Sequence, residues 1–280
     1  MHTEKFTTKK DIEKTKIAIL SDIHYYVGYN QKTFDKLLKQ IKNNNPDYIT
    51  IVGDILDSTN VSDLTQLQNF LTNISQIAKT IVVIGNHDEK QGEMNKWSQG
   101  KNEQIINLLT SIDNIHLLRD ETYTKNNITF YGIDLSYNYY EKDYETYDSF
   151  CNELKNKKCN IPENTYNITL IHTPINIYKY IKNNPNHKLS NSDLILSGHM
   201  HNGCLPYCIS NIINKIFKSS RSIISPNKKL FPKYAQGRIY ERDGYIYEGV
   251  TKLSHSTKVF NKLDFIYHKQ VAFITIEKEK

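Results

Sequence analysis

Residues 16–24 read KIAILSDIH: a compact apolar run, Lys16–Leu20, followed by a short loop carrying Asp22 and His24. The same arrangement recurs four times. DYITIV (47–52) leads into Gly53-Asp54-Ile55-Leu56-Asp57, and TIVVI (80–84) into Gly85-Asn86-His87-Asp88. Further along, NITLI (167–171) is followed by His172-Thr173-Pro174, and DLILS (193–197) by Gly198-His199-Met200-His201. Short apolar runs bounded by turn residues read as buried strands. Five of them therefore deliver D-x-H, G-D-x-x-D, G-N-H-D, H-x-P and G-H-x-H at their carboxyl ends.

The segments between are helical in pattern. Residues 31–43 put Phe34, Leu37, Leu38 and Ile41 on one face, and Asn43-Asn44-Asn45-Pro46 stops the helix. Residues 62–79, 102–112, 144–157 and 175–183 are further helix candidates, and IHLL (115–118) and ITFYGIDL (128–135) further strands. This rhythm predicts an α/β protein whose strands have parallel neighbours and are covered on both faces. The end changes character: GRIYERDGYIYEGV (237–250) reads as a hairpin around Asp243-Gly244, and QVAFITIEK (270–278) as a last strand. With no internal repeat or low-complexity linker, residues 1–280 are expected to form a single domain.

In open α/β sheets the carboxyl edge is where ligands bind. Five of the ten histidines lie in these loops. One Asp or His after a strand is ordinarily a cap or turn residue, but caps and turns do not require histidine at five positions. Gly53, Gly85 and Gly198 precede three of the clusters and permit tight turns that aim the next side chain at a shared point.

Composition narrows the class. Hydrophobic residues are 38% and charged residues 24% of the chain, which is globular rather than disordered. Four cysteines are too few for a disulfide scaffold. Cys204 and Cys208 closely follow the histidine pair, so a zinc knot of His199, His201, Cys204 and Cys208 stands beside the reading of buried or free thiols. No apolar run reaches membrane-spanning length, and Ile17–Leu20 is too short for a signal peptide, so a cytoplasmic location is expected. The net charge is +6, and its distribution is uneven. Leu194 to Tyr240 has no acidic residue but carries Lys215, Lys218, Arg221, Lys228, Lys229, Lys233 and Arg238, leaving 29 basic against 30 acidic residues elsewhere. That stretch is either a solvated loop or a positive rim drawing in an anionic substrate.

The order of the five motifs, from about Lys16 to about Ser254, resembles the calcineurin-like metallophosphoesterases. The resemblance implies a four-layer α-β-β-α sandwich of two mixed sheets with two divalent metal ions at the strand ends. It implies that Asp22, His24 and His201 bind the first ion, that Asn86, His172 and His199 bind the second, and that Asp54 bridges both. A metal-bridging hydroxide would then attack the phosphorus of a phosphomonoester or phosphodiester. His87 would contact the phosphate and protonate the leaving oxygen, with Asp57 and Asp88 orienting ligands or His87. Imidazole, carboxylate and amide oxygen suit Mn, Fe, Zn or similar ions. The H-x-H spacing agrees: on an extended stretch, residues i and i+2 point the same way, so adjacent ions can each take one ring.

Downstream, Asn202-Gly203-Cys204-Leu205-Pro206 and IISPNKKLFPKYAQGRIY (223–240) resemble a bacterial branch of that family, with Cys204 where the branch carries glutamine. The insert 205–236 is expected to be a substrate lid. Within it, NIINKIF (211–217) sets Ile212, Ile213, Ile216 and Phe217 on one face beside Lys215 and Lys218. This is either an ordinary packed helix or a lip that meets lipid tails while its lysines face phosphate. The expected substrate is accordingly a phosphorylated small molecule or lipid-like ester. A nuclease using Lys228, Lys229, Lys233 and Arg238 on a nucleic-acid backbone is an alternative without a recognisable motif behind it. A non-catalytic metal-binding module on the same fold is another. The oligomeric state leaves no trace in the sequence.

Overall fold

The computed structural model describes residues 2–26, 29–57, 62–89, 101–141, 145–201, 234, 237–247, 249–250 and 270–279. The insert 205–236, apart from Tyr234, lies outside them, and with it Cys208, the 211–217 stretch expected to be helical, and Lys215, Lys218, Arg221, Lys228, Lys229 and Lys233; Cys204 lies outside them too.

Two six-stranded sheets form the framework. The first contains β1 (His2–Thr8), β2 (Thr15–Leu20), β3 (Tyr48–Val52), β4 (Lys79–Val83), β5 (Ile115–Leu117) and β12 (Ala272–Lys278). Its order is β1-β12-β2-β3-β4-β5, parallel throughout except where β12 runs antiparallel to β2. The second contains β6 (Thr122–Lys125), β7 (Ile128–Ile133), β8 (Tyr166–Ile171), β9 (Leu194–Ser197), β10 (Gly237–Ile239) and β11 (Gly244–Ile246). Its order is β10-β11-β9-β8-β7-β6, with a parallel centre and an antiparallel pair at each edge.

Alternation along the second sheet sorts its side chains between two cores. Phe130, Ile168, Leu170, Leu194 and Leu196 join the large core shared with the first sheet, where Tyr48 and Phe130 meet with ring centroids 5.0 Å apart. Tyr131, Ile133, Ile171, Ile195 and Ile246 belong to a second core. That core also takes in Tyr139 of α5 (Tyr137–Glu141), Phe150 and Leu154 of α6 (Tyr147–Lys155), and Ile177 and Ile181 of α7 (Ile177–Asn183). The first sheet is packed by α1 (Gln31–Asn44), α2 (Thr65–Ser75) and α4 (Lys101–Ser111) through Phe34, Leu37, Ile41, Leu67, Phe70, Leu71, Ile105 and Leu109. The layers are those of the expected α-β-β-α sandwich, and every strand behind the five motifs is present.

Local chemistry explains the boundaries. The Asn30 side chain accepts from Lys32 N at the start of α1, and Asn45, in the left-handed region, ends it where Asn43–Pro46 predicted. α2 is shorter than the expected 62–79, because Gln76–Ala78 leave the helix as a turn. β1 was not legible: in HTEKFTT only Phe6 is a buried apolar residue. The hairpin turns through Tyr240–Asp243, with Ile239 opposite Gly244. Gly244 is thus a strand residue, and a Cβ there would lie 2.3 Å from Tyr178 Oη. Arg238, a candidate nucleic-acid contact, is instead committed within the fold. It donates to Asp243 at 3.0 Å and to the Lys5 carbonyl at 3.1 Å, and lies 4.4 Å over the Phe6 ring. Among the described residues no helix is long and apolar enough to cross a membrane.

Candidate metal centre

The carboxyl ends of β2, β3 and β4 in one sheet and of β8 and β9 in the other meet at one place. The loops are laced together by main-chain hydrogen bonds. Asp22 N donates to Gly53 O (3.0 Å), His24 N to Asp54 O (3.0 Å), Gly198 N to His172 O (2.9 Å) and Val250 N to Ser21 O (2.8 Å).

Five of the candidate ligands sit in the left-handed backbone region: Asp22 (φ 51°), His24 (47°), Asp54 (51°), His199 (68°) and His201 (45°). For an L-residue this conformation costs about 1–2 kcal/mol, and such outliers gather at functional sites. It also corrects the reading of H-x-H as an extended stretch. Gly198–His201 is a tight turn in which Met200 N donates to Gly198 O at 2.8 Å. The turn, rather than strand alternation, sends the two rings to different partners. His199 Nδ1 faces His172 Nε2 at 3.3 Å, and His201 Nε2 faces His24 Nε2 at 3.1 Å and Asp22 Oδ1 at 3.3 Å. A zinc knot would need both rings turned to one point.

The ligating atoms of Asp22, His24, Asp54 and His201 lie within 4.8 Å of one another, as do those of Asp54, His172 and His199. Asp54 belongs to both groups. Its Oδ2 is 3.1 Å from His172 Nε2 and 3.6 Å from His24 Nε2, and its Oδ1 accepts the His87 backbone N–H at 2.9 Å. Asn86 and His87 occupy α3 (Asn86–Glu89), a single turn after β4. The Asn86 side-chain oxygen is buried without a hydrogen-bond partner. The His87 ring meets the His24 ring edge-on at 4.6 Å, with Nδ1 3.9 Å from Asp57 Oδ1.

These donors fit divalent cations. His172 Nδ1 lies 2.8 Å from the Val52 carbonyl and donates to it, which leaves a lone pair on Nε2 pointing at Asp54 and His199. Acceptors converging on buried space call for positive charge. In the metal-free protein a proton answers that call: burial opposes the imidazolium of His172, but the Asp54 carboxylate outweighs it and pushes the pKa up to about 10. Burial, and then the neighbouring His87, hold His24 well below its usual value, and burial likewise lowers His201. Both rings are thus neutral, the form that ligates.

Two glycines make room for this crowding. A Cβ on Gly53 would lie 2.4 Å from His172 Nδ1, and its φ of +80° is itself a glycine conformation. A Cβ on Gly85 would lie 2.2 Å from Asp54 Oδ1. The expected roles of the two remaining carboxylates divide. Asp57 approaches His87. Asp88 instead braces the Asp54 loop, accepting from Ile55 N (2.9 Å), Leu56 N (2.8 Å) and Gly85 N (3.0 Å).

The sequence profile of the calcineurin-like phosphoesterases matches residues 15–203, a span that contains every one of these loops. The chain belongs to that family. Among curated relatives of this chain, an uncharacterized metallophosphoesterase of Campylobacter jejuni is 28% identical over 197 residues, 70% of this chain. The chain covers only 45% of that relative's length. An uncharacterized metallophosphoesterase of Aquifex aeolicus is 27% identical over 238 residues, 81% of each chain. Among solved structures, a dimetal phosphatase from Danio rerio gives a TM-score of 0.45 at 11% identity, covering 84% of this chain and 87% of that one.

Two residues beside these ligand groups have no sequence signal. The ring of Tyr140, on α5, lies 5.4 Å from that of His199 and 6.2 Å from that of His172. Glu145 is buried, with Oε1 3.2 Å from His199 Nε2 and 2.8 Å from the Thr173 hydroxyl that donates to it. Both lie in YNYYEKDYE (137–145), whose spacing bears no relation to the histidines.

Proposed function

We propose that the protein is a metal-dependent phosphoesterase that hydrolyses a phosphomonoester or phosphodiester at a dinuclear centre. The observation that carries this reading is the pair of ligand groups sharing one carboxylate, Asp54. Asp22, His24 and His201 would hold one ion with Asp54, and Asn86, His172 and His199 would hold the other. When bound, the two ions supply Lewis acidity, lowering the pKa of a water and neutralising charge on the phosphoryl oxygens.

The chain's own residues do the rest. The left-handed turns fix five ligands before any ion arrives, so little reorganisation is left for binding. The His87 backbone N–H holds Asp54 Oδ1, which keeps the shared carboxylate in register with β4. The His87 side chain is 25% exposed, and it keeps its Nδ1 toward Asp57. In the imidazolium form, with Nδ1–H toward Asp57, Nε2–H is the proton given to the leaving oxygen, a general-acid role. Tyr140 walls the centre beside His199. The acid-free stretch from Leu194 to Tyr240 favours an anionic substrate, a phosphorylated small molecule or a lipid-like ester.

The test is hydrolysis of bis-p-nitrophenyl phosphate, p-nitrophenyl phosphate, nucleotides and phospholipids by metal-stripped protein reloaded with Mn. Asp54→Asn is expected to lose ion binding and turnover together. His87→Ala is expected to keep both ions and lose turnover by about 10²–10⁴-fold. Wild-type protein that holds two ions and cleaves none of these substrates would overturn the reading.

A further inference from the structure

We infer that Glu145 is a positioning residue for one half of the centre: it sets which nitrogen of His199 is presented to a divalent cation. The inference rests on His199 being a ligand, as proposed above. Glu145 Oε1 lies 3.2 Å from His199 Nε2, within reach of a proton on that nitrogen. A proton held there fixes the tautomer and leaves the lone pair on Nδ1. That nitrogen is the one 3.3 Å from His172 Nε2, inside the group formed with Asp54. His172 is set in the mirror-image way, with Nδ1 donating to the Val52 carbonyl and Nε2 left free. Once a cation displaces the proton that Asp54 holds on His172, two lone pairs and a carboxylate oxygen face one another across the site. A carboxylate behind a ligating imidazole also raises its basicity.

The placement of Glu145 is enforced from several directions. Its backbone is in the left-handed region, at φ 53°. Its N–H donates to the Tyr139 carbonyl at 3.0 Å, and its own carbonyl accepts from Asn176 Nδ2 at 2.7 Å. The Thr173 hydroxyl donates to the same Oε1 at 2.8 Å, and Thr173 adjoins His172. Only 4% of the residue is exposed. A carboxylate is costly to bury so deeply without charge-assisted partners, and the His199 ring supplies one. Among the described residues the other half of the centre has no such device: Nδ1 of His24 and of His201 are both buried without a partner there. The two halves are therefore unequal, and Glu145 acts on one.

The experiment is calorimetric titration of metal-stripped wild type, Glu145→Gln and Glu145→Ala with MnCl2, with Asp22→Asn as the reference for the opposite half. Wild type is expected to show two sites. Both Glu145 variants are expected to weaken one of them by about 10–100-fold and spare the other, while Asp22→Asn weakens the complementary site. In nitrogen-15 spectra of the Zn-loaded protein, a slowly exchanging His199 Nε2–H should be present in the wild type and lost in Glu145→Ala. If Glu145→Ala fails to fold, Glu145→Gln, of the same shape, carries the test. Two undiminished sites in Glu145→Gln, or equal loss at both, would overturn the inference and leave the phosphoesterase reading standing. Absence of any Mn binding in the wild type would instead overturn that reading, and this inference with it.

Discussion

Asp88 illustrates how a residue can be essential to a centre without reaching it. Its carboxylate accepts three backbone N–H groups, from Ile55, Leu56 and Gly85, and is 2% exposed. Burial, and then the neighbouring Asp54, push its pKa up to about 7 against those three donors. Asp88→Ala strands the donors, and each stranded group costs about 1–3 kcal/mol. Asp88→Asn keeps one acceptor oxygen. Urea denaturation should therefore rank the alanine variant clearly below the asparagine variant, and equal midpoints would refute the bracing role. The residue type was legible in G-N-H-D, but two of its three partners were not, because Ile55 and Leu56 lie on another loop 33 and 32 positions earlier. Glu145 was less legible still. The five motif loops announce themselves by following apolar strands, whereas Glu145 comes from a polar segment and reaches His199 only through the packing of the second sheet.

At the scale of elements, the sequence is readable where burial imposes a pattern. β3, β7, β8 and β9 are buried at every position, and each appeared as an apolar run. The end of α1 was legible because Asn45 does specific backbone chemistry, and Asn30 does the same at its start. Asn30→Ala removes the acceptor for Lys32 N and should cost about 1 kcal/mol in chemical denaturation. No measurable change would mean that the tertiary face of Phe34, Leu37 and Ile41 fixes the helix start unaided. Edge strands carry no such mark. β1 enters the sheet through main-chain pairing with β12 and one phenylalanine, and β6, TYTK, is half-exposed. H-x-H shows the complementary failure: the residues stood out and the backbone was misread, since spacing alone does not distinguish an extended stretch from a turn with two left-handed residues.

For the whole molecule, the decisive fact is that the candidate ligands are divided between the sheets. Asp22, His24, Asp54 and Asn86 follow strands of the first, and His172, His199 and His201 follow strands of the second. The two groups that share Asp54 each contain members from both sheets. An ion in either group is then a cross-link between the halves of the sandwich at the edge where the large core ends. Binding to the folded state alone stabilises it by about 2.7 kcal/mol at a free-ion concentration 100 times Kd. Part of that should appear locally. Hydrogen exchange on addition of Mn is expected to slow at the amides of Asp22–Tyr25 and Asp54–Leu56 and, in step with them, at His172–Thr173 and Gly198–His201. The increment should vanish in Asp54→Asn, because that carboxylate is the one member common to both groups. Protection confined to the loops of one sheet would mean that the ions ride on half of the fold, and the sandwich would then hold its two halves together by apolar packing alone.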